Sequence, residues 1–428
     1  MSAAWSLSST RRLSWGFIGL NMAFDLLADP PVNPPSGLPS GDLHLRLLGA
    51  LVAGQIAPDA LRPDQWAGLS DLALRHGLGP FLLWQVQQAG CAEHLGAALL
   101  PLRAARARSG VQGVLAGGVQ RRLQMALAQA GIATLWLKGS ALAQTVYPSP
   151  ELRPMADIDL LVPYAQRRSA LAAAEGIGCR LLPQLFDGTE SLKHHYALQG
   201  PEGDTMPGDK VLVELHFRLL GAADRLLPVQ ALDWFWRQTM PYAAAHDAGP
   251  RMATLRPEAH LLYLAAHALL QHGETDLRLL RFFDLHRLIL STPAFDWELA
   301  VAGATALGWT YVTARALLWA QHYFATPLPA HVLEALAARR PAHDTRAHVR
   351  RRRRPRTLSE QVMYDLATMG WRDGLRAAQR ILLPPPAYMR WRYTVDAPWH
   401  LPTAYAARWR HMALDAWRTL RRRGGRHG

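Results

Sequence analysis

Asp157 and Asp159 stand two residues apart in the run Ala156-Asp157-Ile158-Asp159-Leu160-Leu161-Val162. On a β-strand that spacing turns both carboxylates to one face and Ile158 and Leu160 to the other. Carboxylates held so close repel each other unless a cation lies between them, and hard divalent cations such as Mg²⁺ take oxygen ligands of this kind. Upstream, an apolar run over 132–137 leads into Lys138-Gly139-Ser140 and then a helical stretch. A strand that ends in Gly-Ser and enters a helix offers backbone N–H groups and a hydroxyl to a phosphate chain, and the helix N-terminus favours negative charge. Gly139 lets phosphates approach the backbone. Lys138 and Arg153 are cations able to neutralise triphosphate charge, the arginine in bidentate fashion. A third carboxylate comes from 211–219, where Glu214, His216 and Arg218 share one strand face and Val213, Leu215 and Phe217 share the other.

Positioning these groups requires a small α/β unit, and the residue pattern supplies one. β-type runs lie at 132–137, 158–162, 179–182 and 211–219, with a helix over 164–175 ended by Gly176 and a Pro/Gly-rich hairpin loop over 201–209. On both sides the periodicity is helical, at 43–51, 64–74 and 81–86 before the unit and at 257–270 and 277–290 after it. Pro257 suits a first helical turn. The expected fold class is therefore α+β, a small mixed-sheet core embedded between mostly α-helical N- and C-terminal regions. The expected organisation is an extension and linker over 1–41, a helical region over 42–130, the α/β core over 131–225, a helical domain over 226–335, and an Arg-rich helical region over 336–428. Within that last region 358–367, 374–382 and 405–420 read as helices, separated by Pro384-Pro385-Pro386 and by Pro398 and Pro402.

The motifs Lys138-Gly139-Ser140, Leu152-Arg153-Pro154, Asp157-Ile158-Asp159 and Glu214-Leu215-His216, in this order, resemble the polymerase-beta nucleotidyltransferase superfamily. More narrowly, the chain is similar to the superfamily's bacterial branch of uncharacterised nucleotidyltransferases. The likeness is at motif level over about 131–219, and looser at 277–290 and 385–393. It implies Gly139 and Ser140 as the phosphate-binding pair for a nucleoside triphosphate (NTP), and Asp157, Asp159 and Glu214 as ligands of two Mg²⁺ ions. One departure concerns the connection: sixteen residues separate Ser140 from Asp157, more than the compact motif has, which leaves the place of the loop carrying Arg153 open. The implied reaction is Mg²⁺-dependent transfer of a nucleoside monophosphate from an NTP to an acceptor, with small molecule, peptide, protein and RNA all compatible. Two other readings are a non-catalytic scaffold that keeps the fold and a toxin-like enzyme that modifies tRNA.

A chain of 428 residues that is 50% hydrophobic can bury a sizeable core without staples. It has no apolar run long enough to span a bilayer, so no transmembrane segment is expected. Cys91 and Cys179 have no paired spacing, which excludes a cysteine zinc site and fits the reducing cytoplasm. Arg11-Arg12 precedes an apolar stretch that Asn21 and Asp25 interrupt and no cleavage site follows; an extension, or a start at Met22, is the expectation rather than an export signal. Charge is unevenly divided: residues 339–428 hold 21 Arg and 6 acidic residues, a local +15, against 26 basic and 27 acidic in the rest. That tail, with Arg350 to Arg354, Arg356 and Arg421 to Arg423, suits RNA, an anionic membrane surface, or a solvated linker with a packed helix. For the membrane reading, Tyr405, Trp409, Met412, Ala416 and Leu420 fall on one helical face beside Arg408, Arg418 and Arg422. His260, His267 and His272 read as packing residues, and Asp284 as a salt-bridge partner of Arg278 or Arg281.

Overall fold

A computed structural model describes residues 42–424 except 62, 94, 188, 202–209, 222–229, 243–251, 274–277, 339–344, 346–348, 350–357, 368 and 396. The extension over 1–41, nearly all of the 201–209 loop, and the arginines at 350–354 and 356 lie outside the described residues.

Four helices come first: α1 (Asp42–Val52), α2 (Pro63–Arg75), α3 (Gly79–Gln88) and α4 (Leu100–Gln129). Pro80 and Pro101 stand at the first turns of α3 and α4, where a missing N–H costs nothing. The α/β section follows as β1 (Leu135–Leu137), α5 (Lys138–Thr145), β2 (Asp157–Leu161), α6 (Arg167–Gly176), β3 (Arg180–Leu181), β4 (His195–Gln199) and β5 (Leu212–His216). Next come α7 (Ala231–Arg237), β6 (Thr239–Tyr242), β7 (Met252–Leu255) and α8 (Pro257–Ala266), which widens into a π-type turn over His267–His272. Helices α9 (Leu279–Leu290), α10 (Trp297–Ala306), α11 (Thr310–Phe324) and α12 (Ala330–Ala338) complete the body. The tail carries α13 (Leu358–Ala367), α14 (Trp371–Leu382), α15 (Pro386–Tyr393) and α16 (Leu401–Gly424).

The chain is thus an α+β protein with one mixed seven-stranded sheet in the order β3-β4-β5-β2-β1-β7-β6. Strand β2 runs antiparallel to β1 and parallel to β5, so Asp159 stands beside Leu137 on one side and Glu214 on the other. The two-residue period of the strands then sorts their side chains. Trp136, Ile158, Leu160, Val213 and Leu215 face α4 and α6, burying against Val119, Leu123, Leu127, Ala170 and Ala174. Leu135, Leu137 and Leu161 face the helical body made by α1–α3 and α8–α11. Asp157, Asp159, Glu214 and His216 share the parity of that second face, so the sheet presents its polar residues to the helices.

Strands β6 and β7 come from a segment whose pattern reads as helical, and β4, which a hairpin loop over 201–209 calls for, has no β-type run of its own in the sequence. Met252–Leu255 is four residues long, too short for alternation to register, and Thr239–Tyr242 contains Pro241. A proline is tolerated there because β6 is an edge strand. All five residues of β4 are buried, so no in-out alternation marks it. Arg408, expected beside an exposed apolar face, is instead buried in α16, where Nε and Nη2 donate to the Ile381 carbonyl at 3.2 and 2.9 Å and satisfy an orphan acceptor at the end of α14.

Helices α1 and α11 approach closely enough that a Cβ on Gly49 would overlap the Tyr323 carbonyl, a backbone atom that cannot rotate away. Gly49→Ala is expected to lower stability by about 1–3 kcal/mol. Gly68→Ala on α2, where a Cβ meets nothing within 4 Å, should be neutral or stabilising by up to about 1 kcal/mol. Denaturant unfolding of the two variants checks this, and equal behaviour would refute the close α1–α11 packing.

Candidate functional site

At the end of β1 the backbone turns through Lys138 with φ +47°, a left-handed conformation that costs a non-glycine residue about 1–3 kcal/mol. Surrounding groups hold it there. The Lys138 N–H donates to His260 Nε2 at 3.2 Å. The Ser140 hydroxyl, wholly buried, accepts from the Asp159 N–H at 2.8 Å and lies 2.9 and 3.1 Å from the carbonyl oxygens of Leu137 and Asp159 as acceptors. Ser140 therefore ties the turn to β2. Its hydroxyl is engaged with backbone groups rather than directed outward.

The turn sends the Lys138 side chain between two carboxylates. Its Nζ is 2.7 Å from Asp159 Oδ1 and 3.9 Å from Glu214 Oε2. His216 completes the bridge: its Nε2 lies 3.0 Å from Asp159 Oδ1 and 3.1 Å from Glu214 Oε2. Because both neighbours are carboxylate oxygens, Nε2 is the nitrogen that carries the proton. Burial opposes charge on Lys138, but Asp159 and the other acidic groups outweigh it and hold the ammonium above its ordinary range. Burial likewise pushes Glu214 up, and the His216 hydrogen bond and the Lys138 charge more than reverse this, to about 2. In His216 the burial that favours the neutral ring is overcome by hydrogen bonds to Asp159 and Glu214, which raise its pKa.

Asp157 lies on the same face, half-buried and one pleat farther along β2 opposite Leu212. Burial, then repulsion from Asp159 and Glu214, pushes its carboxyl up to about 7. Ligating atoms of Asp159, Glu214 and His216 lie within 4.8 Å of one another; among the described residues Asp157 is not part of such a group. Two carboxylates on adjacent strands form an oxygen donor set that fits a hard divalent cation, and His216 adds a nitrogen that borderline cations also accept.

Arg153 is held beside this site by the helical body. Its Nε and Nη2 donate to Asp284 Oδ1 and Oδ2 on α9 at 3.2 and 2.7 Å, and the Tyr147 hydroxyl donates to Oδ1 at 2.7 Å. Asp284 thus takes Arg153 as its partner, where the sequence had suggested Arg278 or Arg281. A Cβ on Gly139 would overlap the Arg153 guanidinium, so the glycine here makes room for an arginine of the same chain.

Sequence reasoning placed His216 on the right strand face but gave it no role, read His260 as a packing residue, and missed His194, His195 and Tyr263. His194 Nε2 and His195 Nδ1 share a hydrogen bond at 2.8 Å, and with His216 they form a buried group of three imidazoles. His195 Nε2 stands 3.9 Å from Glu214 Oε1. The Tyr263 hydroxyl of α8 is buried, has no hydrogen-bond partner among the described residues, and feels the charges of Lys138, Asp159 and Glu214. His260, pushed down to about 3 by burial and by Arg153, is a neutral acceptor for the Lys138 N–H. These residues come from β4 and α8, and no local spacing links them to the carboxylates.

A family model described as an uncharacterised nucleotidyltransferase matches residues 62–325. No curated protein and no solved structure matches the chain.

Two consequences are measurable without knowing a substrate. Asp284→Ala leaves the Arg153 guanidinium buried without its carboxylate and is expected to cost about 3–5 kcal/mol, whereas Arg153→Met/Asp284→Met should recover much of the loss. Denaturant unfolding reads both. For Asp157, the unfolded chain titrates near 3.8 and the folded chain near 7, so the folded state binds the extra proton between those values. Its contribution to stability therefore falls as pH rises from about 4 to about 7. In EDTA, Asp157→Asn should gain on wild type between pH 5 and pH 8 by on the order of 1 kcal/mol; an unchanged difference in melting temperature contradicts the assignment.

Proposed function

The chain belongs to the uncharacterised nucleotidyltransferase family, and from that premise we propose a Mg²⁺-dependent enzyme of the polymerase-beta type that transfers a nucleoside monophosphate from an NTP to an acceptor hydroxyl. The observation that carries the reading is the convergence of Lys138, Asp159, Glu214 and His216 beside the β1–α5 turn. Nucleotidyl transfer is in-line displacement at the α-phosphorus: the acceptor oxygen forms a bond there, the bond to the β-phosphate oxygen breaks, and pyrophosphate leaves. The hydroxyl proton departs to a nearby carboxylate or to water. Little covalent work falls to the protein, and positioning and charge neutralisation carry the rate.

Asp157, Asp159 and Glu214 are the proposed ligands for divalent cations, two of them in the form the resemblance implies. Bound there, such cations would activate the acceptor oxygen and take up charge on the departing pyrophosphate. The chain's own residues do the rest. Lys138, paired with Asp159 and close to Glu214, is the ammonium proposed to take up triphosphate charge once cations bind those carboxylates. The N-terminus of α5 favours negative charge near it, and the Arg153 guanidinium packed on Gly139 adds to that. Ser140 fixes the distance between that turn and β2, and Arg153, held by Asp284, sets the positive wall of the site. On this reading the chemistry lies within 131–225, supported by the helices of 42–130 and 226–335. A reducing, NTP-supplied cytoplasm is the compartment it requires; Cys91 and Cys179 are free thiols.

The acceptor falls in one of four classes, small molecule, peptide, protein or RNA, which the donor site serves alike. Titration calorimetry with ATP, CTP, GTP and UTP in Mg²⁺ tests the donor half. Wild type should bind at least one NTP only when the metal is present, and Asp157→Ala/Asp159→Ala should lose that dependence, with any turnover falling by about 10³-fold or more. Absence of metal-dependent NTP binding by wild type overturns the reading.

A further inference from the structure

The tail exposes apolar residues in an arrangement that water alone does not favour. On α14, Trp371 and Leu375 are 75% and 67% exposed, and Leu382 and Leu383 follow at its end. The spacing of 371, 375 and 382 places the three on one helical stripe, while Ala377 and Ile381 are buried on another against Leu185 and Phe186. The helix is therefore apolar on two sides, and only one of them has found the body.

Helix α16 extends the exposed side. Its Trp409 Nε1 donates to the Leu382 carbonyl at 2.7 Å, which pins a half-exposed indole beside the end of the α14 stripe, and Trp417 lies two turns farther along, also exposed. The buried Arg408 holds the two helices in this relation. Arginines border the patch: Arg372 and Arg376 on α14, Arg410, Arg418 and Arg421 on α16, all exposed. Residues 339–428 carry 21 Arg against 6 acidic residues.

We propose that this face of α14 and α16 docks on an anionic phospholipid membrane, lying in the interface without crossing it. Indole and guanidinium groups partition to the boundary between headgroup and acyl chain, where the ring is buried and the polar edge stays wet. Clustered arginines supply the attraction to anionic headgroups. Among the described residues no helix is long and apolar enough to cross a membrane, which fits a surface position. RNA suits the face less well. Leu375, Leu382 and Leu383 offer bases no ring on which to stack, and the rings of Trp371 and Trp417 already carry the guanidinium groups of Arg372 at 5.1 Å and Arg421 at 4.3 Å.

The test uses the full chain and sedimentation with vesicles of phosphatidylcholine alone or mixed with phosphatidylglycerol, followed by tryptophan emission. Wild type should bind the anionic vesicles with a blue shift, bind neutral ones at least tenfold more weakly, and release partly in high salt. Trp371→Glu/Leu375→Glu, two solvent-facing changes, should weaken anionic-vesicle binding at least tenfold. Val114→Glu on α4, equally exposed and outside the patch, should leave it unchanged. Any of three results overturns the proposal: no vesicle binding, undiminished binding by the double variant, or binding of single-stranded RNA in place of vesicles. None of them bears on NTP binding at the β1–β2–β5 site.

Discussion

Two carboxylates, Asp159 and Glu214, are buried side by side on parallel strands, and the fold around them is arranged to keep that tolerable. Removing one charge from water without a partner costs several kcal/mol, and two like charges cost more. Donors in contact must answer them, and the chain supplies the Lys138 ammonium and the His216 ring N–H. The left-handed turn at Lys138 is the smaller cost, about 1–3 kcal/mol, and it places an ammonium where the larger cost arises. Ser140 and His260 act on the backbone of that turn, so their roles follow from the same requirement.

A second ion pair joins the turn to the helices. Arg153 leaves the loop between α5 and β2, packs on Gly139, and meets Asp284 of α9, which also accepts from the Tyr147 hydroxyl, so the turn is tied to the helical body. This explains why a small sheet comes with so much helix. The face bearing the carboxylates cannot be left to water if its charges are to act strongly, because low dielectric surroundings are what make them strong. Helices α8 and α9 close it: His260 accepts from the Lys138 N–H, Tyr263 feels the charges of Lys138, Asp159 and Glu214, and Asp284 holds Arg153.

Much of this was legible in the residues, because strands and helices write their periods into the chain. The two-residue period placed Asp157 with Asp159, and Glu214 with His216, on common faces. The helical spacing marked most of the body. What was hidden depends on contacts between distant segments. Strand β4 is buried on both sides and therefore has no alternation, and β7 is too short to show any. Gly139 looked like room for a phosphate, and only the fold reveals that an arginine 14 positions on already fills it. Asp284 had two arginines nearby in sequence and chose a third from another element. Local spacing gives a side chain its direction; the identity of what it meets is set by topology.

The uneven division of charge then has a physical reading. A body with 26 basic and 27 acidic residues has no excess to spare, and charges in the tail are screened by salt beyond about 8 Å. The buried pair Asp159 and Glu214 is answered by groups in contact with it, Lys138 and His216. The two sets of cations are therefore not interchangeable. Those in the core are single, buried and geometrically fixed, which suits binding that must be exact to a few tenths of an ångström. Those described as exposed in the tail, Arg372, Arg376, Arg410, Arg418 and Arg421, share α14 and α16 with Trp371, Trp409 and Trp417, which suits an extended anionic surface where number matters more than position.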